Sequence, residues 1–215
     1  MALVRFRRAL LALAACCAAA PLGAAEPATL AQIAAQMGQH AVVRAEFTQT
    51  RQMAIMKRPL VSSGRVLYAR GHGVLWQAEQ PHRTTYALGE DRIAEIGPDG
   101  ARRERGVREV PGLSQVSRVL RALFDADTAV LQQHFELSLR GDAARWELDL
   151  KPRQPQLAQF LSALQVSGGR FVDAVRLDEA SGDVTQIQFR NSKSADAPSA
   201  EELQLFRASP APPRR

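Results

Sequence analysis

The sequence predicts a mainly β protein built as an antiparallel meander, either a sandwich or a barrel. Three observations carry this. About eleven short runs favouring strand recur at 8–12-residue spacing. Gly-, Pro- and Asp-containing turns separate most of them. Helical periodicity interrupts the strands in two or three places instead of alternating with them, which argues against βαβ units and a nucleotide-type parallel sheet.

In chain order, Thr29 is a candidate N-cap, and Leu30, Ile33, Met37 and Ala41 follow at helical spacing, with the helix ending near His40. Ala45 to Arg51 alternates and reads as a first strand, and Lys57-Arg58-Pro59 interrupts the pattern. Ser62 to Ala69 and Gly73 to Glu79 are two strands about the turn Arg70-Gly71-His72, and Gln80-Pro81 stops the second. Arg83 to Gly89 and Asp91 to Gly97 form the next pair; after Pro98-Asp99-Gly100 comes a strand over Arg102 to Val110.

The period then changes. Leu113, Val116, Val119, Leu120, Leu123 and Phe124 share one helical face over about Ser114 to Phe124, and Asp127 caps a short helix carrying Val130 and Leu131. Strands resume at Phe135 to Leu139 and Arg145 to Lys151, followed by one helical turn at Leu157 to Phe160. Ala163 to Ser167, Phe171 to Asp178 and Thr185 to Phe189 are three more strands, and Glu202 to Arg207 is read as a last one before a Pro-rich tail.

The N-terminus is an address. Arg5, Arg7 and Arg8 precede an uncharged run from Ala9 to Ala20, Pro21 breaks it, and Ala24-Ala25 precede Glu26: the layout of a secretory signal peptide. We expect residues 1–25 to be removed, residues 26–207 to form one domain, and residues 208–215 to be a disordered Pro/Arg tail. A competing reading takes Leu13-Ala14-Ala15-Cys16 as a lipobox, which would leave the protein lipid-anchored at Cys16; only seven residues then separate Arg8 from Cys16.

Cleavage after Ala25 removes both cysteines, Cys16 and Cys17, and half of the formal charge of +6. What remains is thiol-free and mildly basic, with scattered cations and no stripe interleaved with aromatics, so nucleic acid is not an expected partner. The four histidines (His40, His72, His82, His134) show no metal-ligand spacing, and no GxGxxG, phosphate loop or GxSxG elbow occurs. We therefore expect no metal, no cofactor and no enzyme, but a binding protein.

Two stretches carry a resemblance. Gly64-Arg-Val-Leu-Tyr-Ala-Arg70-Gly-His-Gly-Val-Leu-Trp76, with Gln80-Pro81 behind it, resembles the core signature of periplasmic outer-membrane lipoprotein carriers of the LolA type, and Phe47-Thr48-Gln49 is similar to that family's F-x-Q strand. The order from Phe135 through Lys151-Pro152 to Leu157-Ala-Gln-Phe160 is similar as well, and Ala200 to Phe206 falls where the family places its last strand. Gly71 stands where the family usually has Pro, and Leu67 and Gly73 replace bulkier or aromatic residues.

The resemblance implies an unclosed antiparallel β-barrel of about eleven strands with an α-helical lid. It implies an apolar cavity that carries the acyl chains of a lipoprotein, or a related lipid, from inner to outer membrane. An inner-membrane ABC release complex would load it, and an outer-membrane acceptor lipoprotein would unload it. The same fold serves that membrane-tethered acceptor and the lipid-binding domain of an envelope-stress sensor, which are the alternative readings. We expect a monomer in the periplasm. Val74 and Trp76 share parity across their strand. We assign that face to the cavity together with Phe47, Tyr86, Leu88, Leu137 and Leu148. Leu120, Leu123 and Phe124 are assigned to the lid, and Arg70 to a latch that bonds lid carbonyls through its fork of donors.

Overall fold

The computed structural model describes residues 28–90, 92–106 and 127–207. The expected helix at 114–124, with Leu120, Leu123 and Phe124, lies outside the described residues, as do residues 1–27 and 208–215. Among the described residues no helix is long and apolar enough to cross a membrane.

Helix α1 is Leu30–Met37, opened by Thr29, whose side chain accepts from the Gln32 amide while Gln32 reaches back to the Thr29 amide. This reciprocal box satisfies two of the amides that a helix start leaves unpaired. Six strands follow as a meander: β1 (Val42–Gln52), β2 (Leu60–Ala69), β3 (Gly73–Gln80), β4 (Thr84–Leu88), β5 (Arg92–Ile96) and β6 (Arg102–Gly106). Helix α2 (Thr128–His134) is capped by Asp127, as its position in the sequence predicts. It leads into β7 (Phe135–Gly141) and β8 (Trp146–Pro152). The single turn α3 (Pro155–Ala158) starts on a proline, whose missing amide costs nothing there. β9 (Leu161–Gly168), β10 (Val172–Glu179) and β11 (Val184–Ala195) complete the strands.

All eleven form one antiparallel sheet in the order β6-β5-β4-β3-β2-β1-β11-β10-β9-β8-β7. Each consecutive pair is a hairpin neighbour. The exception is the seam of β1 with β11, where Phe47 faces Phe189 and Gln49 faces Ile187. Among the described residues β6 and β7 do not pair, so the sheet is an unclosed barrel.

The two faces bury different sets. On the inner face Ile33, Leu131, Phe135, Trp146, Leu148, Leu150, Leu157, Leu164 and Val166 form one buried cluster. Ala45, Phe47, Val66, Tyr68 and Val74 form a second. The outer face of β1 to β5 buries Val42, Leu67, Ala69, Leu75, Ala87 and Ala94. Gly64 lets two backbones approach closely: a Cβ built there would lie 2.0 Å from the Gln77 carbonyl oxygen.

The last expected strand is a correction. Residues 200–206 are a helix, α4 (Ala200–Phe206), not a strand. Ser199 accepts from the Glu202 amide and Glu202 returns a bond to the Ser199 amide, a second capping box, with Glu201 and Glu202 favourable in the first turn. The alternation of Leu203 and Leu205 suggests a strand, but the box decides for helix. Leu205 and Phe206 then cover the outer-face cluster.

Glu202 also fastens α4 to the sheet. Its two oxygens accept from Arg44 Nε at 2.7 Å and Nη2 at 2.6 Å. The Arg44 hydrogen bond holds the Glu202 carboxyl below its ordinary 4.5, assisted by Ser199. A carboxylate depressed in the folded state stabilises the fold above the unfolded value and loses that contribution as pH falls through the folded one. Glu202→Ala is therefore expected to cost about 1–2 kcal/mol at neutral pH. In urea titrations this gap from wild type is to narrow as the pH is taken below 4.5.

Candidate functional site

Alternation along the strands puts one apolar row on the inner face. Val74 and Trp76 of β3 stand opposite Leu88 and Tyr86 of β4. Across the seam Ile187 of β11 faces Val175 of β10, Val175 faces Val166 of β9, and Val166 faces Leu148 of β8. Strand twist curls this row around an open interior.

α1 lies across that interior. Leu30, Ile33, Ala34 and Met37 recur at helical spacing and form one wall of a cavity of about 310 Å³. Val74, Trp76 and Leu88 make the wall on one side; Trp146, Leu148, Val166, Val172, Val175 and Leu177 make it on the other. Ile187 and Phe189 form the back, and Leu131 of α2 closes over it. Among the described residues Gln49, Thr128 and Thr185 are the polar side chains on the lining, and no charged one lines it. These walls offer dispersion and water exclusion.

Of the residues assigned to the cavity from the sequence, the structure places Val74, Trp76, Leu88 and Leu148 on its wall. Phe47 points inward but lies against the Trp76 ring, centroids 3.8 Å apart, and backs the wall without lining it. Leu137 packs on the inner-face cluster away from the cavity. Tyr86 shares the face of Trp76 yet is 36% exposed and off the lining. Partial burial, with the Glu95 carboxylate opposite, raises its hydroxyl above the ordinary 10.0.

Sequence reasoning missed the wall from β10 and β11 and the contribution of α1. The α1 stripe was readable as a helix face, but its target was not. The β11 residues become lining only through their register with β1, which no local pattern encodes.

Arg70, just past β2, donates from Nη2 to the carbonyls of Gly38 at 2.5 Å and His40 at 3.1 Å. Those carbonyls belong to the chain leaving α1, where helix ends leave acceptors unpaired. Gln36 ties the same helix to the far side by donating to the Gly169 carbonyl at 2.5 Å, an oxygen that Trp146 Nε1 also binds at 2.9 Å. α1 is thus pinned from both sides of the open sheet. Among the described residues no three His, Cys, Asp or Glu side chains gather as a metal site would require.

The sequence matches a family model described as outer membrane lipoprotein carrier protein LolA-like over residues 8–201. No curated protein matches it. Solved structures that are similar include a LolA superfamily protein from Nitrosomonas europaea, at 9% identity and TM-score 0.46, over 84% of this chain and 98% of that one. A chain of the Pseudomonas aeruginosa MucA/MucB complex is 13% identical with TM-score 0.45, over 84% of this chain and 59% of that one. LprF from Mycobacterium bovis is 14% identical with TM-score 0.40, over 78% and 92%. The family match takes in α1, all eleven strands and the Arg70 to Trp76 stretch that supplies both the α1 contact and part of the cavity wall. On that match, the chain belongs to the LolA-like family of outer membrane lipoprotein carrier proteins.

Proposed function

We propose that this protein is a periplasmic carrier that holds the acyl chains of a lipoprotein, or of a related lipid, in transit between the inner and outer membranes. The observation that carries the reading is the cavity of about 310 Å³ with its almost wholly apolar lining. At roughly 30 Å³ for a water-sized group, it has room for about ten methylenes. Each methylene taken from water contributes about 0.8 kcal/mol, so a filled cavity gains up to about 8 kcal/mol. Immobilising the cargo offsets part of this. Net affinity then falls in the micromolar range or weaker, tight enough to shield a chain and weak enough to release it.

In this reading the protein is not an enzyme and acts as a monomer. An inner-membrane ABC complex loads it, and an acceptor lipoprotein of the outer membrane unloads it. Residues 1–25 direct export and are removed. Arg70 acts as the latch, holding α1 down by its two carbonyls while the cavity is empty.

The test is to isolate the exported protein, extract it with organic solvent and identify acyl-bearing species by mass spectrometry, then titrate the emptied protein with a fluorescent apolar probe. Bound lipid and probe binding displaced by an acylated peptide are expected. An interior that takes up neither would overturn the proposal. Arg70→Leu is expected to speed probe exchange several-fold without unfolding; unfolding with unchanged exchange counts against a latch. The intact mass separates a chain beginning at Glu26 from one acylated at Cys16, the tethered acceptor reading.

A further inference from the structure

Large exposed apolar side chains are concentrated at one end of the barrel. Six are found among the described residues, and five of them lie there: Ile55 is 88% exposed, Met56 39%, Leu60 50%, Val61 53% and Phe160 55%. The first four belong to the β1–β2 turn and the start of β2. Phe160 joins them because its carbonyl accepts from the Ala180 amide at 3.2 Å, and Ala180 opens the β10–β11 turn. That turn holds the β1–β2 tip in its place: Asp183 Oδ1 accepts from the Ala54 amide at 2.9 Å.

The tip is ordered from below. The Met56 amide donates to the Met53 carbonyl at 3.0 Å, and Gln52 Nε2 donates to the Met56 carbonyl at 3.3 Å. Asp183 and Glu179 both receive Arg51 Nη2, so the one guanidinium offsets part of the charge of the two acids at the base of the tip. Lys57 and Arg58, between Met56 and Leu60, are exposed and make no ion pair among the described residues. Arg83, in the adjoining β3–β4 turn, is exposed as well.

We propose that this end of the barrel docks on an anionic bilayer surface. The apolar side chains stand exposed on turns and on the first two residues of β2. A patch with cations between its apolar groups matches a lipid interface: the apolar groups enter the acyl boundary and the cations meet headgroup phosphates. Each Lys or Arg near an anionic surface adds to binding without needing a fixed geometry. The end that carries α1 presents none of these five residues. The inference goes beyond cargo carriage, since docking needs no occupant in the cavity.

The test is vesicle flotation with the exported protein carrying Cys16→Ser, so that no N-terminal acyl chain contributes. Vesicles are phosphatidylcholine alone, and phosphatidylcholine mixed with phosphatidylglycerol. Binding to the mixed vesicles is expected, with little to the neutral ones. The pair Ile55→Ser with Leu60→Ser, and the pair Lys57→Glu with Arg58→Glu, are each expected to weaken it at least about tenfold. These positions are exposed, and unchanged melting confirms the fold. No preference for anionic vesicles, or tip variants that bind as wild type does, would overturn the proposal. So would a tip that crosslinks to a protein while vesicles stay unbound. Val175→Trp, which obstructs the cavity, is to leave flotation unchanged; loss of binding there, with tip variants unaffected, would locate lipid contact in the cavity and also refute the tip.

Discussion

Gly64→Ala is expected to abolish or severely reduce soluble folded protein. The new Cβ would sit 2.0 Å from the Gln77 carbonyl oxygen and 3.0 Å from Ala78 Cα. Both are backbone atoms of β3, so no side-chain rotation relieves the contact. The pairing already shifts register here, Ser63 facing Gln80 and Gly64 facing Ala78, and the shift seats the glycine against the partner strand. Pushing β3 away would open the wall that Val74 and Trp76 supply. A loss above about 3 kcal/mol is expected, a large share of the roughly 5–15 kcal/mol by which natural domains are stable. Thermal melts followed by circular dichroism read it. Gly71→Ala is the comparison: Gly71 has φ +75° and nothing within 4 Å, so its cost is conformational only, about 1–2 kcal/mol. Equal melting of the two variants would refute the close-approach explanation.

Val175→Trp is expected to lower apolar-probe affinity roughly thirtyfold and to remove co-purifying lipid. Val175 lies on the cavity lining, opposite Ile187 and Val166. An indole there displaces two or three methylenes of cargo, worth about 2 kcal/mol. Because it grows into open space, the strain of overpacking is small and the melting temperature is to move by only a few degrees. Arg176→Trp is the parity control: one residue on, its side chain points out and pairs with Asp178. It is expected to bind the probe as wild type does. Equal binding by a folded Val175→Trp would mean that cargo sits elsewhere.

Most of the strands were legible because strand alternation and turn residues are local. Gly71-His72 and Pro98-Asp99-Gly100 end strands for reasons carried within a few residues. α4 was misread because Leu203 and Leu205 alternate as a strand would, although Ser199 and Glu202 already spelled a helix start. Within the cavity, parity along β3 and β8 found Val74, Trp76 and Leu148. It could not tell lining from backing, because Trp76 covers Phe47 and only the packed rings show which is in front. Tyr86 has the right parity and the wrong position along the sheet. Ile187 and Phe189 were invisible for a different reason: their place depends on strands from opposite ends of the chain meeting in register.

That meeting has a consequence for timing. The seam of β1 with β11 joins two meanders, β1 to β6 and β7 to β11, each of which has only local pairings. The cavity draws its lining from both, with Trp76 and Leu88 on one side of the seam and Leu148 and Val175 on the other. Non-local pairing is the slow step in forming such sheets. A chain emerging from the ribosome therefore has no complete cavity until β11 is free to pair. The apolar interior forms last, in one event, when the two meanders join.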